Sequence, residues 1–273
     1  MKPPLRIRLA ALLLTAATAL PAQAEDAGVL RRALSAATAR DWTAAAAEAQ
    51  RSGPIAADLV AWQRLRAGQG IWPEYRDLAA RRPDWPGMDL LRSRAEAAMP
   101  PDLPASEAAA WFGTRRPQTL AGIAALTGGM TGPVRDAALI AFWADTVLEP
   151  ADESAFLSAH GALLAPHHPA RLRKLLDAGE WAAAERMLPL VSGPEAQLAR
   201  ARIAVQARRI GVDALILALP PAQRGDAGLA MDRFRWRIAT KQGELARALM
   251  LERSTSAESL RDPARWAGAR KDY

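Results

Sequence analysis

Cysteine is absent from this chain, which excludes disulfides and also a lipid-modified cysteine behind an export signal. Strand formers are scarce: there are two Tyr and four Phe, and Val and Ile are scattered. No pair of alternating segments joined by a turn signal occurs, so a hairpin-built sheet is not expected. Long apolar runs are missing too. The best of them, Leu9 to Leu20, is too short to cross a bilayer. Glycine-rich phosphate loops and serine-nucleophile motifs are also lacking. The stretch "TGGMTGP" at 127–133 has neither the Lys-Ser/Thr ending nor a strand before it, and reads as a flexible turn between helices.

What is present begins with an address. Lys2, Arg6 and Arg8 precede the apolar run, and "PAQA" follows it as a small-residue cleavage site after Ala24. This predicts a secretory signal peptide over 1–24, the alternative being an uncleaved N-terminal anchor. Its removal takes away three positive charges and no acid, so the net charge falls from +7 to +4. That balance attracts an anionic polymer loosely and is too small to argue for nucleic acid. An exported chain of this length without cysteine must be held by packing alone. The expected location is the periplasm, free of stable membrane insertion.

Alanine dominates, and alanine costs least in a helix. Apolar spacing agrees. Leu59, Trp62 and Leu65 share one face, with Gly68 near the end of that helix. Leu172, Leu175 and Leu176 precede Gly179, and Met231, Phe234 and Ile238 precede Gly243. Prolines punctuate at close intervals, several at expected first helical turns, among them Pro54, Pro133, Pro150 and Pro194. Short helices joined by tight turns imply helical hairpins.

One phrase is spelled twice, as "RDWTAAAAEAQRSGP" (40–54) and "GEWAAAERMLPLVSGP" (179–194), with a third version at "QGELARALMLERS" (242–254). Aligning Trp42, Trp181 and Leu245 puts Ala45, Ala184 and Ala248 three residues on, at separations near multiples of roughly 32–35 residues. A large residue beside an alanine lets one helix of a hairpin lean closely on the other. The predicted fold class is therefore all-α, an α-solenoid of degenerate TPR-like hairpins over 25–273, with a compact orthogonal bundle as the alternative.

Residues that could carry chemistry are few. His160, His167 and His168 lack a third ligand at metal spacing, and a capping or surface role is expected for them. Trp62, Trp143 and Trp236 lie in apolar helical stripes, whereas Trp72, Trp85, Trp111 and Trp266 sit near turns and are freer to meet a ligand. Arginine far outnumbers lysine, and rows such as Arg233 and Arg237 could line one side of a solenoid and attract anionic glycan or peptide carboxylates. No catalytic residue, metal or cofactor is assigned.

The segment "AWQRLRAGQGIWPEYRDLAARRPDWPGMDLLRSRAE" (61–96) resembles the N-terminal superhelix of soluble lytic murein transglycosylases. The likeness rests on a Trp-x-x-x-Arg-x-x-x-Gly helix, a Tyr-bearing helix and the Pro-Asp-Trp-Pro-Gly turn. Residues 162–192 and 233–254 resemble further stretches of the same superhelix. The resemblance implies a ring-like peptidoglycan scaffold whose separate lysozyme-like domain cleaves the MurNAc–GlcNAc bond with one Glu. That domain's Glu-Ser and Gly-Leu-Met-Gln pattern is not found here: Glu153-Ser154 mimics the first half without the Gln, and Glu258-Ser259 has no follow-on. The expectation is a front part of such a protein, or a separately encoded scaffold, binding glycan strands or a catalytic partner and inactive alone. An independent periplasmic protein–protein scaffold is the alternative, and an enzyme with an unrecognised site a third reading. A truncated solenoid would also be least stable at its last hairpin.

Overall fold

The computed structural model describes residues 27–255 and 264–271, and every regular element among them is helical. The expected signal segment with its cleavage site and the Glu258-Ser259 pair lie outside the described residues. No helix among those described is long and apolar enough to cross a membrane. Contacts divide the chain between Leu91 and Arg92 into two compact units.

The first unit holds α1 (Ala27–Thr38), α2 (Trp42–Ser52), α3 (Pro54–Arg66), α4 (Trp72–Arg81) and the start of α5 (Met88–Ala97). Its α1–α3 core is made largely of alanine: Ala33, Ala45 and Ala49 are fully buried, with Trp42 packed against them. Such small contacts let helix axes approach closely.

The second unit continues with α6 (Ala105–Phe112), α7 (Leu120–Thr127), α8 (Gly132–Asp145), α9 (Pro150–Leu164), α10 (His168–Ala178), α11 (Trp181–Met187) and α12 (Gly193–Gln206). After them come α13 (Val212–Leu217), α14 (Pro221–Arg224), α15 (Ala227–Ala239), α16 (Gly243–Arg253) and α17 (Ala264–Lys271). Helices pack mainly on near neighbours in sequence: α7 on α8, α8 on α9 and α10, α10 on α11 and α12, α12 on α15, α15 on α16. The central core gathers Phe142, Trp143, Phe156, Leu164 and Met187, joined by Leu172, Leu175 and Leu176 at the expected spacing.

The echo has a backbone cause. Arg40, Gly68, Gly179, Arg208 and Lys241 all adopt left-handed φ, between 54° and 85°. At each, the left-handed residue donates its N–H three residues back and the next residue donates five back, as in Gly179 to Leu176 O (3.2 Å) and Glu180 to Leu175 O (2.9 Å). This is the Schellman closure, which satisfies the last carbonyls of a helix and reverses the chain. At Arg40, Gly179 and Lys241 the next helix starts two residues later. Its fourth residue, Ala45, Ala184 or Ala246, is then fully buried against the helix before it.

That register corrects two sequence expectations. In the third phrase the counterpart of Trp42 is Gly243, not Leu245. Leu245 is 53% exposed and Ala248 is exposed as well, because helix start and turn, not the large residue, set the phase. Gly243 likewise opens α16 instead of closing α15; Lys241 takes the closing position. Pro54, Pro133, Pro150 and Pro194 do occupy first turns.

The Pro-Asp-Trp-Pro-Gly turn docks on α3 within the first unit. The Trp62 indole N–H donates to Pro86 O at 3.0 Å, and its ring meets Trp85 edge-on at 6.2 Å. Gly87 is left-handed, and a Cβ there would stand 3.0 Å from Arg66 Nε, while the Arg66 guanidinium lies 4.4 Å from the Trp62 ring centre. Arg82, just before the turn, pairs with Asp58 at 2.8 Å.

Candidate functional site

Polar chemistry in the second unit concentrates around α12. Arg202 is buried there, and its Nε donates to Asp232 Oδ2 of α15 at 2.6 Å while Nη2 faces Asp177 Oδ1 of α10 at 2.9 Å. Burial alone would lower the pKa of this guanidinium, but the bonds and charges of Asp232 and Asp177 outweigh it and raise it. Gln206, one turn along α12, donates to Asp232 Oδ1 at 2.9 Å and to Leu176 O at 2.7 Å. Gly228 makes room for this arrangement: a Cβ there would fall 2.4 Å from the Arg202 guanidinium.

Two clefts flank that network. Arg202 and Asp177 line one of about 340 Å³, with Arg173, Glu195, Asp226 and Arg265 at its walls. Most of its charges are already matched internally: Asp177 also meets Arg265 at 3.4 Å, and Asp226 caps α15 through Leu229 N at 2.8 Å. Asp232 lines the other, of about 300 Å³, together with Trp181, Trp236, Gln206, Arg208 and Arg235. Trp181 is 37% exposed and the Gln206 Oε1 atom is buried without a hydrogen-bond partner. Two indoles and two guanidiniums thus line one opening.

The structure redistributes the tryptophans. Trp72, Trp111 and Trp266, expected to be freer because they sit near turns, are buried. Trp181, expected as a packing anchor, is exposed, whereas Trp42 at the same position of the first phrase packs against the alanine core. Trp143 is buried as its stripe implied, and Trp62 and Trp236 are half-buried.

The histidines do not act together. His168 is buried instead of capping or exposed, its ring edge-on to Trp143 at 5.8 Å. Burial, then the nearby Arg171 and His167, push its pKa down. His167 precedes α10 without a side-chain cap bond, and His160 lies on α9 against Phe156 at 4.7 Å.

Glu153, the Glu-Ser mimic, is 4% exposed and held by two arginines. Arg186 donates to Oε1 at 3.0 Å and to Oε2 at 3.2 Å, and Arg171 faces Oε2 at 3.4 Å. Both of its oxygens are thus taken up by guanidiniums of α10 and α11. Arg233 is different: it is half-buried, and burial followed by Arg237 and Arg253 lowers its pKa. Compared with family models, with curated proteins and with solved structures, the chain matches none of them.

Proposed function

We propose that this chain is a periplasmic scaffold of helical hairpins, of the solenoid kind that forms the superhelix of soluble lytic murein transglycosylases. In this reading it holds peptidoglycan glycan strands and leaves bond cleavage to a lysozyme-like partner. The observation that carries the reading is the cleft shared by Trp181 and Trp236, with Arg208 and Arg235 beside them. Indole faces offer an apolar plane with a polar edge, which suits the flat face of a sugar ring. The guanidiniums suit the carboxylates carried by the strand. The Trp62–Trp85 turn, the recurrent hairpin closure and the Arg233–Arg237–Arg253 group add support.

The test is co-sedimentation of the full chain with insoluble peptidoglycan. Retention that falls with salt and drops several-fold in Trp181→Ala is expected. Equal retention of the variant would remove this cleft from the reading, and release of anhydro-muropeptides by the pure chain would contradict the non-cutting role. The alternative, a protein–protein scaffold, is favoured by Ile210 and Leu217, which flank and close α13 at 102% and 67% exposure. It predicts no retention at all.

A further inference from the structure

A different cavity, of about 350 Å³, opens where the end of α7, the start of α8 and the later turns of α9 meet. Ala124, Met130 and Leu139 give it an apolar wall, while Thr127, Arg135 and His160 supply its polar groups. No carboxylate lines it. By contrast, Arg171, Arg186, Arg202 and Arg209 each face an acidic side chain. Neither Arg135 nor His160 forms a hydrogen bond or ion pair with a described residue.

The three polar groups have distinct capacities. Arg135, exposed at the edge of the cavity, offers a charged, forked donor set that no acidic side chain takes up. His160 is held edge-on to Phe156 at 4.7 Å, and burial followed by the charge of Arg135 lowers its pKa. Both effects favour the neutral ring, which has one N–H to donate. The Thr127 hydroxyl already donates to Ile123 O at 2.7 Å, which leaves its oxygen only as an acceptor.

We propose that this cavity binds the C-terminal end of a peptide whose last residue is small and apolar. Arg135 pairs with the terminal carboxylate and His160 donates to it. Thr127 accepts the N–H of the last residue, and Ala124, Met130 and Leu139 enclose its side chain. Each free capacity of the pocket is then used once: two donors for an anion, one acceptor for an amide, one wall for a methyl group. The proposal stands apart from the glycan reading, because the cavity shares no residue with the Trp181 cleft.

The probe is N-acetylalanine, titrated into the full chain while the imidazole resonances are followed, with His160→Gln assigning the relevant signal. A saturable shift of the His160 signal, with a midpoint of about 1 mM, is expected. N-acetylalaninamide, which lacks the charge, should leave the signal in place. Arg135→Gln, on an exposed side chain that does not hold the fold, should weaken binding about tenfold or more. Thr127→Val should weaken N-acetylalanine but not propionate, which has no N–H. An equal response to the amide, undiminished binding by Arg135→Gln, or no saturable shift up to about 50 mM would each overturn the proposal.

Discussion

The guanidinium of Arg171 lies 3.8 Å from the centre of the Trp143 ring, and neither side chain has measurable exposure. Besides stacking, Arg171 donates to the backbone carbonyls of Trp143 and of Thr146, the latter at 2.9 Å. These carbonyls belong to the end of α8, where no intrahelical donor remains. One side chain of α10 thus closes α8, fills the core and faces Glu153 of α9.

Replacing Arg171 by Met should therefore cost about 3–5 kcal/mol, since it strands the α8 carbonyls and leaves Glu153 with Arg186 alone. Arg171→Lys should recover little, because an ammonium neither stacks flat nor reaches several acceptors in one plane. Urea midpoints of both variants check this, and a near-normal midpoint for Lys would show that charge alone matters.

The recurrent turn yields a paired prediction. Gly179→Ala places a Cβ at φ 85° and should cost about 1 kcal/mol, whereas Lys241→Gly relieves a side chain at φ 62° and should gain up to about 1 kcal/mol. Opposite shifts in thermal midpoint are the expected result. Two shifts of the same sign would contradict a shared turn geometry.

Two buried carboxylates give opposite pH signs. Burial alone would raise the pKa of Asp58, but hydrogen bonds from Arg81 (2.9 Å) and Arg82 (2.8 Å), with their charges, carry it below the ordinary 3.8. A depressed folded pKa stabilises above the unfolded value and the gain is lost as pH falls through the folded one. Asp58→Asn should therefore weaken the protein at pH 7 and flatten its acid dependence below pH 3.8.

Glu96 runs the other way. Burial raises its pKa above 4.5, although Gln118 N, Thr119 N and Thr119 Oγ1 all donate to Oε2 at 2.8–2.9 Å and offset part of it. Its ionisation therefore penalises the folded state as pH rises past 4.5. Glu96→Gln should gain on the unaltered protein between pH 4.5 and neutrality, and not below. Unfolding midpoints measured across pH 3–8 separate the two carboxylates; the same slope change in both variants would refute the assignment.

Trp62→Phe keeps the packing against Trp85 but loses the bond to Pro86 O, at a cost of about 1 kcal/mol. Trp62→Ala removes both and should cost about 3–5 kcal/mol. Loss of helical signal against denaturant measures the difference. Equal costs would mean that the indole N–H contributes nothing.

How much of this was legible in the chain depends on range. Gly179 as a helix terminator could be read directly, because left-handed φ is cheapest without a Cβ. Lys241 and Arg40 could not, since they fill the same position against that preference, and the third phrase was consequently aligned two residues out of phase. Trp72, Trp111 and Trp266 are buried against expectation because closeness to a turn says nothing about which neighbouring helix will cover a ring, and the repeated phrase that made Trp181 a packing anchor says as little. The Arg202–Asp232 pair and the Arg135–His160 cavity had no signal, as their partners stand on different helices, well separated in the chain.

By itself, the sequence determined that the chain is helical and where many helices begin and end. Helix propensity, a missing proline N–H and a missing glycine Cβ act within one turn of backbone. Only the tertiary structure decided which alanines meet, which arginines are buried with a carboxylate and which one faces a cavity without any. Those outcomes follow from how neighbouring helices cover one another, and the desolvation of a charge is set by that covering and not by the residue that carries it.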